Sequence, residues 1–352
     1  MNREKILFLS HEFTTFIRQD ESLLGKHFDL KVFTLKSCHT IPKALLSYFR
    51  VLCWLWRNIR WCDGLFLRFA DVYGFFFSLF ARLFRKKLFV VVGGFDATWI
   101  PDLGHGTYHK KRSRFFTEFT FKSAHKILPV SKSLVKGSDD NFGMGRRVEG
   151  ILNLYPIINP QKIIVVPNGY RTEFFKADPE NPKSAEILTV GNIRSHINFR
   201  LKGIDVFVAL AARNPAMTFT LVGADPSQLS QWTDIPPNLN IVSYVEQDGL
   251  LEFYQRAKIF MCLSLTGGMP NVLSEAMLCE CVPMGYRVSG IPDIIGDAGI
   301  LIDDNDIDQI QSGLEKALGM SGKPARQRIL ARFPVEQREQ ALSEIIRAEI
   351  KV

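Results

Sequence analysis

The chain has 352 residues, of which 46% are hydrophobic, and it carries 44 Lys and Arg against 36 Asp and Glu, a formal net charge of +8. This length is enough for two domain cores of ordinary size and too long for one. The charged fraction of 23% and the mean hydropathy of +0.02 exclude a disordered chain. The basic balance favours an anionic partner, but it does not choose between nucleotide phosphate, an anionic lipid surface and nucleic acid.

The cysteines and the N-terminal residues indicate the cellular compartment in which the protein is expected. The cysteines show no CxxC pair and no regular spacing, so neither a zinc site nor a disulfide framework is predicted and a reducing compartment is indicated. The apolar run from Ile6 to Ser10 predicts a first strand rather than a signal peptide. The longest uncharged apolar run, Val72 to Ala81, is too short to span a bilayer. These features predict a cytoplasmic protein.

Short apolar runs alternate with amphipathic segments along the chain. In the first half, the predicted strands are Lys5–Ser10, Lys31–Leu35, Gly64–Arg68, Leu88–Val92, Lys126–Val130 and Lys162–Val166. In the second half, they are Glu186–Val190, Thr218–Val222, Leu239–Val242, Ile259–Leu263, Val282–Gly285 and Ile300–Ile302. Their interiors are apolar without alternation, which is typical of parallel strands buried on both faces. The pattern predicts an α/β protein with two doubly wound parallel sheets, each with a ligand crevice at the carboxyl ends of its strands.

The domain boundary is expected between Pro167 and Ser184. A turn at Pro167-Asn168-Gly169 is followed by a linker-like cluster at Asp178–Pro182. We therefore predict an N-terminal domain over 1–170 and a C-terminal domain over 171–333. The last segment, 334–352, is expected to form an amphipathic helix that packs back toward the N-terminal domain.

The second half contains a strand that ends in a glycine and is followed by two cations. The strand ends at Gly191, where the lack of a side chain lets the backbone approach a ligand closely. Arg194 and then Lys202 come next along the chain, so both are expected beside the same crevice. Two cations at that place suit a diphosphate, whose charge they would offset.

A second glycine-rich loop follows the predicted strand at Ile259–Leu263. Gly267 and Gly268 precede Pro270 in what we predict to be the first turn of a helix, where unpaired amide groups and the helix dipole favour phosphate. Glu275 lies about one turn further on, where its carboxylate could hold a ribose diol. The alternative is that the glycines and the proline only form a tight βα turn and that Glu275 favours the helix dipole.

Four segments follow one another in the order typical of a known family: Pro167-Asn168-Gly169, then Val190-Gly191 with Lys202-Gly203, then Gly267-Gly268-Met269-Pro270-Asn271-Val272-Leu273-Ser274-Glu275-Ala276-Met277, then Val288-Ser289-Gly290-Ile291-Pro292-Asp293. Together they resemble the family 4 retaining glycosyltransferases of GT-B fold, among the glycosyl transferases group 1. The resemblance is close over Ile163 to Ile302 and looser in the N-terminal half. It implies two Rossmann-like domains facing across a cleft, with the acceptor bound by the first and a nucleotide-diphosphate sugar by the second.

The resemblance also assigns roles. It implies that Lys202, and less closely Arg194, contact the donor diphosphate, that Glu275 holds the ribose, and that the amides of Gly268 to Val272 face the phosphates and the sugar. The donor-site residues that it implies are Gly191, Lys202, Gly267, Gly268, Asn271, Val272 and Glu275. The implied activity is hexosyl transfer (EC 2.4) with retention at the anomeric carbon, without a metal ion or other cofactor, in synthesis of cell-surface polysaccharide or lipopolysaccharide.

One position departs from the family pattern. The family usually carries a second glutamate eight positions before the ribose-binding one, and this chain has Gly267 there. An altered donor or a substitute group is one explanation. Another is a catalytically degenerate protein that binds nucleotide as a scaffold subunit. An epimerase or a phosphorylase of the same fold remains a further alternative, although no pyridoxal-lysine signature is evident.

On the acceptor side, many members of the family have a His-Asp pair after the fourth strand, where this chain has Phe95-Asp96. Asp96 is thus the third candidate catalytic residue beside Lys202 and Arg194, orienting an acceptor hydroxyl or the donor hexose. The alternative for Asp96 is a helix N-cap. His11 and His105 are further candidates, or ordinary loop and surface histidines.

Two acidic pairs are considered as metal ligands. Asp139-Asp140 and Asp303-Asp304 lie in predicted loops and are interpreted as solvated rather than metal-binding.

Two segments combine basic and aromatic residues. Lys43, Arg50 and Arg57 recur every seven residues in an otherwise apolar helical segment up to Trp61, and a second cluster runs from Lys110 to Phe116. One interpretation is peripheral docking on the anionic inner face of a membrane, where the acceptor would be lipid-linked. The other is a crossover helix packed on the sheet and a solvated basic loop. Nucleic acid is not expected as a partner, because no recognised binding motif accompanies the charge.

Overall fold

The computed structural model describes residues 3–11, 15–36, 40–138, 146–180 and 182–351. They divide into two compact units. The first unit contains the chain up to Gly137, Arg146–Asn168 and the C-terminal segment from Glu336; the second consists chiefly of Gly169–Val335. The chain therefore leaves the first unit after Asn168 and rejoins it for its last helix.

The described strands of the first unit are β1 (Lys5–His11), β2 (Asp29–Leu35), β3 (Gly64–Arg68), β4 (Lys87–Val92), β5 (Thr98–Trp99), β6 (Lys126–Pro129) and β7 (Val148–Glu149). Its first six helices are α1 (Thr15–Gly25), α2 (Ile41–Asn58), α3 (Val72–Leu83), α4 (Lys111–Ser123), α5 (Ser133–Lys136) and α6 (Ile151–Leu154). Five strands pair in parallel in the order β2-β1-β3-β4-β6. The short strands β5 and β7 form a separate antiparallel pair.

The predicted strand at Lys162–Val166 is wrong. A short 3₁₀ turn occupies Pro160–Lys162, and the segment that follows makes only an isolated bridge, between Ile163 and Ile127 of β6. Val166 donates its amide to the carbonyl of Pro129 at 2.9 Å. Pro129 has no amide hydrogen to donate, so the ladder does not continue there.

The second unit has a larger sheet. Its strands are β8 (Ser184–Ile193), β9 (Phe219–Ala224), β10 (Leu239–Val242), β11 (Ala257–Cys262), β12 (Val282–Tyr286) and β13 (Ile300–Ile302). Its helices are α7 (His196–Leu201), α8 (Ile204–Arg213), α9 (Pro226–Leu229), α10 (Leu251–Arg256), α11 (Asn271–Leu278), α12 (Ile291–Ile295), α13 (Ile307–Leu318) and α14 (Lys323–Arg332). All pairs are parallel, in the order β10-β9-β8-β11-β12-β13. The predicted fold class, two parallel-sheet α/β domains, is confirmed.

The last helix, α15 (Val335–Ile350), belongs almost entirely to the first unit. The buried Arg338 guanidinium donates to both carboxylate oxygens of the buried Asp20, at 2.6 and 2.8 Å. It also donates to the carbonyls of Val166 and Pro167, at 3.0 and 2.8 Å. A buried arginine with these acceptors fixes where α15 meets the rest of its unit.

Both basic-aromatic segments form helices. In α2, Val51 and Leu55 are fully buried, which agrees with the interpretation as a crossover helix for that side of it. Lys111–Ser123 is the helix α4, so the alternative of a basic loop is wrong. Over the described residues, none of the helices combines the length and the apolar character that a membrane span requires.

Candidate functional site

The centre of the second sheet is the point where the strand order reverses. From β8 the chain proceeds outward to β9 and β10, then returns to β11 on the other side of β8 and proceeds to β12 and β13. Connections that leave neighbouring strands in opposite directions open a crevice at the carboxyl ends of those strands. The two segments singled out from the sequence follow β8 and β11, so the topology places them at this edge.

Lys202 is held beside the loop that follows β11. The next residue, Gly203, has φ of +64°, and a Cβ built on it would lie 2.1 Å from the carbonyl oxygen of Leu263. The amide of Leu265 donates to the carbonyl of Leu201 at 2.9 Å. This close backbone approach, which only glycine permits, ties the residues around Lys202 to the start of the glycine-rich loop.

Lys202 and Arg194, the two predicted cations, have no carboxylate at ion-pair distance among the described residues. Lys202 is half-buried and Arg194 is exposed, and neither forms a salt bridge within the described ranges. A Cβ built on Gly191 would lie 3.8 Å from Cγ of Lys202, so the lysine stem passes over the end of β8. Arg200, in contrast, pairs with Asp205 at 3.3 Å. Two cations whose charge no described carboxylate offsets are suited to an anion.

The backbone of Gly267 connects two loops. Its amide donates to Oγ of Ser289 at 3.3 Å, and its carbonyl accepts from the amide of Gly290 at 3.2 Å. Ser289 has φ of +53°, a left-handed conformation that costs a serine free energy and that occurs preferentially at functional sites. Since the Gly267 amide is already engaged, its part in the site is to position the loop.

Helix α11 begins at Asn271, and Pro270 lies just before it rather than within its first turn as the sequence suggested. The side chain of Pro270 provides no cap. Gly268 is buried, whereas Asn271 and Val272 are half-buried. The positive end of the helix dipole therefore lies at the carboxyl end of β11, where it favours a phosphate.

Glu275 is fixed in the second turn of α11. Only 2% of it is exposed, and its carboxylate accepts hydrogen bonds from Nε2 of Gln247 and, at 3.1 Å, from the hydroxyl of Tyr254. Burial raises the pKa of Glu275 to about 7, although these two hydrogen bonds lower it. The carboxylate is thus oriented by neutral donors, and no described residue forms a direct ion pair with it.

Three residues around Glu275 were not found from the sequence. Gln247 and Tyr254 hold it directly, and the charge of Arg171 lowers its pKa. Arg171 itself pairs with Asp248 at 2.6 Å. The one available signal is that Gln247 follows the strand β10 and so lies at the carboxyl edge of the sheet.

In the first unit, Asp96 lies in a 3₁₀ turn directly after β4. It is 1% exposed, and neither carboxylate oxygen makes a hydrogen bond of normal geometry to the residues that the structure describes. The N-cap alternative is wrong, because Gly94 occupies the capping position. Burial and then the charge of Asp71 raise the pKa of Asp96 to about 7, and the backbone of Ala70 and the charge of Arg68 lower it less. A buried carboxyl group without a hydrogen bond of normal geometry is unusual, which makes Asp96 a candidate contact for a ligand hydroxyl.

The other candidates have structural contacts. The ring of His11, at the end of β1, lies 5.9 Å from that of Phe69, and burial lowers its pKa. The ring of His105 lies edge-on to Phe95 at 5.0 Å. Asp303 forms an ion pair with Arg287, and Asp139-Asp140 lies outside the described residues. Where side chains are described, no three His, Cys, Asp or Glu residues are grouped as a metal site would need.

Part of the chain matches a family of known proteins. Residues 170–332 match the family described as glycosyl transferases group 1. Over 152 residues the chain is 28% identical to the phosphatidylinositol N-acetylglucosaminyltransferase gpi3 subunit of Schizosaccharomyces pombe, a match that covers 40% of this chain and 32% of that protein. The chain thus spans about a third of that relative's length.

Two solved structures share the whole architecture. Sucrose-phosphate synthase from Thermosynechococcus elongatus superposes with a TM-score of 0.74 at 15% identity, over 99% of this chain and 100% of that one. Anabaena Alr3699/HepE in complex with UDP-glucose superposes with a TM-score of 0.69 at 13% identity, over 98% and 99% of the two chains. At such low identity the likeness shows the fold, which is GT-B as predicted.

Proposed function

We propose that the chain is a glycosyltransferase whose second unit binds a nucleotide-diphosphate sugar, because residues 170–332 match the family described as glycosyl transferases group 1. The observation that carries the proposal is the carboxyl edge of β8 and β11. Lys202 and Arg194 follow β8 and form no salt bridge with the described residues, while α11 begins after β11 and carries the oriented carboxylate of Glu275. The UDP-glucose in the HepE structure supports a donor of this class.

Each group at this edge has a chemical task in the proposed reaction. Lys202 and Arg194 offset the charge of the diphosphate as it leaves, and the first turn of α11 adds the helix dipole. Glu275 accepts from the ribose hydroxyls. Its ionised carboxylate has about four acceptor positions, so the two hydrogen bonds from Gln247 and Tyr254 leave capacity for a ligand.

The finer assignment extends to the acceptor. We propose that the protein transfers a hexosyl group with retention, without a metal ion or other cofactor, to a glycan or lipid-linked acceptor. This reaction would belong to cell-surface polysaccharide or lipopolysaccharide synthesis. The relative from Schizosaccharomyces pombe is named a phosphatidylinositol N-acetylglucosaminyltransferase subunit, and this name supports a lipid-linked acceptor. Asp96 is the residue that we assign to the acceptor side, because neither oxygen of its buried carboxylate makes a hydrogen bond of normal geometry to the described residues. The proposed location is the cytoplasm, with peripheral contact to the inner face of an anionic membrane and no role for nucleic acid.

Titration calorimetry with UDP, GDP, ADP and TDP tests the donor site directly. One diphosphate is expected to bind the wild type, and Lys202→Ala and Glu275→Ala are each expected to weaken it by about tenfold or more, since a hydrogen bond to a charged group contributes about 1.5–3 kcal/mol. Lys176→Ala, at an exposed lysine of the same unit, is the matched control and should bind like the wild type. Unchanged affinity in both site variants would refute the assignment.

Gly267 supports a second candidate, a nucleotide-binding protein that has lost catalysis. It predicts the same diphosphate binding but neither hydrolysis of the donor nor transfer across a broad panel of donors and acceptors. Release of nucleoside diphosphate from a nucleotide sugar, dependent on Lys202, would exclude it.

A further inference from the structure

One side of α2 exposes large apolar side chains. Its fully buried residues, Val51 and Leu55, mark the side that faces the fold. Ile41, Leu45, Phe49 and Trp56 are 79%, 61%, 64% and 65% exposed. At the helical repeat of 3.6 residues these four fall on one stripe, which flanks the buried side and does not lie opposite it. The core of the first unit does not cover this stripe.

The stripe continues onto α3 and α4. The ring of Trp56 lies 6.1 Å from that of Phe84, next to Leu83, which is 67% exposed. The ring of Phe75 in α3 lies 5.9 Å from that of Phe115 in α4, which is 56% exposed. We call the exposed side of these three helices the apolar face. Exposed apolar side chains that neighbour one another in this way favour an interaction site over ordinary scatter.

The same three helices hold nearly all of the net charge of the protein. They contain eight Lys and Arg, three of them in α2 and four in α4, and one acidic residue, Glu118. Glu118 already pairs with Lys122 at 2.7 Å. The whole chain has 44 basic and 36 acidic side chains. When the residues of the three helices are subtracted from these totals, the rest of the chain is close to neutral. In α2, Arg50 and Arg57 lie beside the apolar stripe and not within it.

This combination selects one kind of partner. A second copy of the chain would bring positive charge against positive charge, and a nucleic acid would leave the exposed Leu and Ile side chains without apolar contact. An anionic bilayer satisfies both features, because apolar side chains enter the boundary of the acyl chains while Lys and Arg meet the lipid phosphates. We propose that the first unit docks on an anionic lipid surface through the apolar face of α2, α3 and α4.

This inference rests on the proposed function and extends it. It names the surface at which the protein would reach a lipid-linked acceptor. Lipid binding needs neither donor nor transfer. A protein that binds nucleotide but not vesicles would disprove the docking surface alone, and the reverse result would disprove the donor site alone.

Co-sedimentation of the full chain with vesicles is the test, with equal parts of phosphatidylglycerol and phosphatidylcholine compared with phosphatidylcholine alone. Binding is expected only to the anionic vesicles, and it should weaken between about 50 mM and about 500 mM salt. Leu45→Ser with Phe49→Ser is expected to weaken binding more than tenfold through lost apolar burial. Arg50→Gln with Arg57→Gln should weaken it by about fivefold for each charge.

The controls lie in the same unit outside the three helices. Ile157→Ser changes a residue that is 65% exposed, and Lys132→Gln with Lys136→Gln removes two exposed charges. Neither should change vesicle binding, and all variants should keep the wild-type melting temperature and nucleotide affinity. Absence of binding at low salt, equal binding to neutral vesicles, or equal losses in the controls would overturn the proposal. So would a wild-type dimer that the Leu45 and Phe49 changes dissociate without affecting vesicle binding.

Discussion

At the scale of single residues, Glu275 stabilises the fold most when it is protonated, whereas the proposed contact with ribose requires its ionised form. Burial raises its pKa from 4.5 to about 7. The folded protein therefore holds this proton more tightly than the unfolded chain does, so this residue's contribution to stability is fully present below about pH 4.5 and declines as the pH rises to about 7. The decline is on the order of 3 kcal/mol. Only the ionised form has the acceptor capacity for ribose hydroxyls that the proposed site requires.

We therefore expect nucleoside diphosphate affinity to fall as the pH drops below about 7. Calorimetry between about pH 5.5 and 8.5 measures this. The nucleotide phosphate titrates nearby, with a pKa of about 6, so the control is Glu275→Gln, which should show only that part of the pH dependence. Identical profiles for both proteins would mean that Glu275 does not contact the ligand in its ionised form.

Gly267 makes a second residue-scale prediction. A Cβ at this position would meet only Pro270, whose Cγ is 3.4 Å away, and the backbone is not left-handed there. Gly267→Glu should therefore fold with a change in unfolding free energy within about 1 kcal/mol, and it restores a carboxylate that the related family usually has. We expect diphosphate affinity to stay within about threefold of the wild type, below 1 kcal/mol, while the preference among nucleotide sugars shifts. Gly267→Gln, of the same shape without the charge, is the control, and an equal shift in both variants would contradict a role for charge.

At the scale of elements, the junction of α7 and α8 depends on one glycine. Gly203 has φ of +64°, and a Cβ there would lie 2.1 Å from the Leu263 carbonyl oxygen. Gly203→Ala should cost about 2–4 kcal/mol of stability, since both the backbone strain and the clash must be relieved. It should also weaken diphosphate binding, because Lys202 would move with the junction.

The matched control for this change is Gly319→Ala. Gly319 ends α13 with φ of −81°, and a Cβ there would meet the Lys316 carbonyl oxygen at an ordinary 3.6 Å. We expect its stability to stay within about 1 kcal/mol of the wild type. Urea unfolding of both variants measures the difference, and equal midpoints would contradict the close approach at Gly203.

The elements also show what a single sequence can predict. Strands such as β4 and β11, buried on both faces, are continuous apolar runs and were placed within two residues. The two-residue strands β5 and β7 have no such pattern and were missed. Lys162–Val166 has the composition of a strand, but the missing amide of Pro129 limits its pairing, and that depends on a neighbour brought there by folding. Gln247 and Tyr254 were missed for the same reason, since only the tertiary structure brings them to Glu275.

At the scale of the whole molecule, the two ends of the chain meet in one unit. The first unit is complete only when α15 returns to it, and its attachment is the buried pair of Arg338 and Asp20. A buried ion pair adds little net stability compared with an apolar pair, but removing one partner leaves the other charge desolvated. A second cation near Asp20 is Arg68, whose Nη1 lies at the longer distance of 3.4 Å.

Arg338→Met is accordingly expected to lower the unfolding free energy of the first unit by about 3–5 kcal/mol. Tryptophan fluorescence in urea should report this unit mainly, since Trp54, Trp56, Trp61 and Trp99 lie in it and Trp232 is the remaining one of the five. Arg347→Met on the same helix is the control. Its guanidinium is 42% exposed and lies 4.0 Å from Glu4, so its loss should cost at most about 1 kcal/mol. Adding Asp20→Leu to Arg338→Met should recover part of the loss, because the unpaired charge is then gone, and a double variant no more stable than Arg338→Met would contradict this account of how α15 is held.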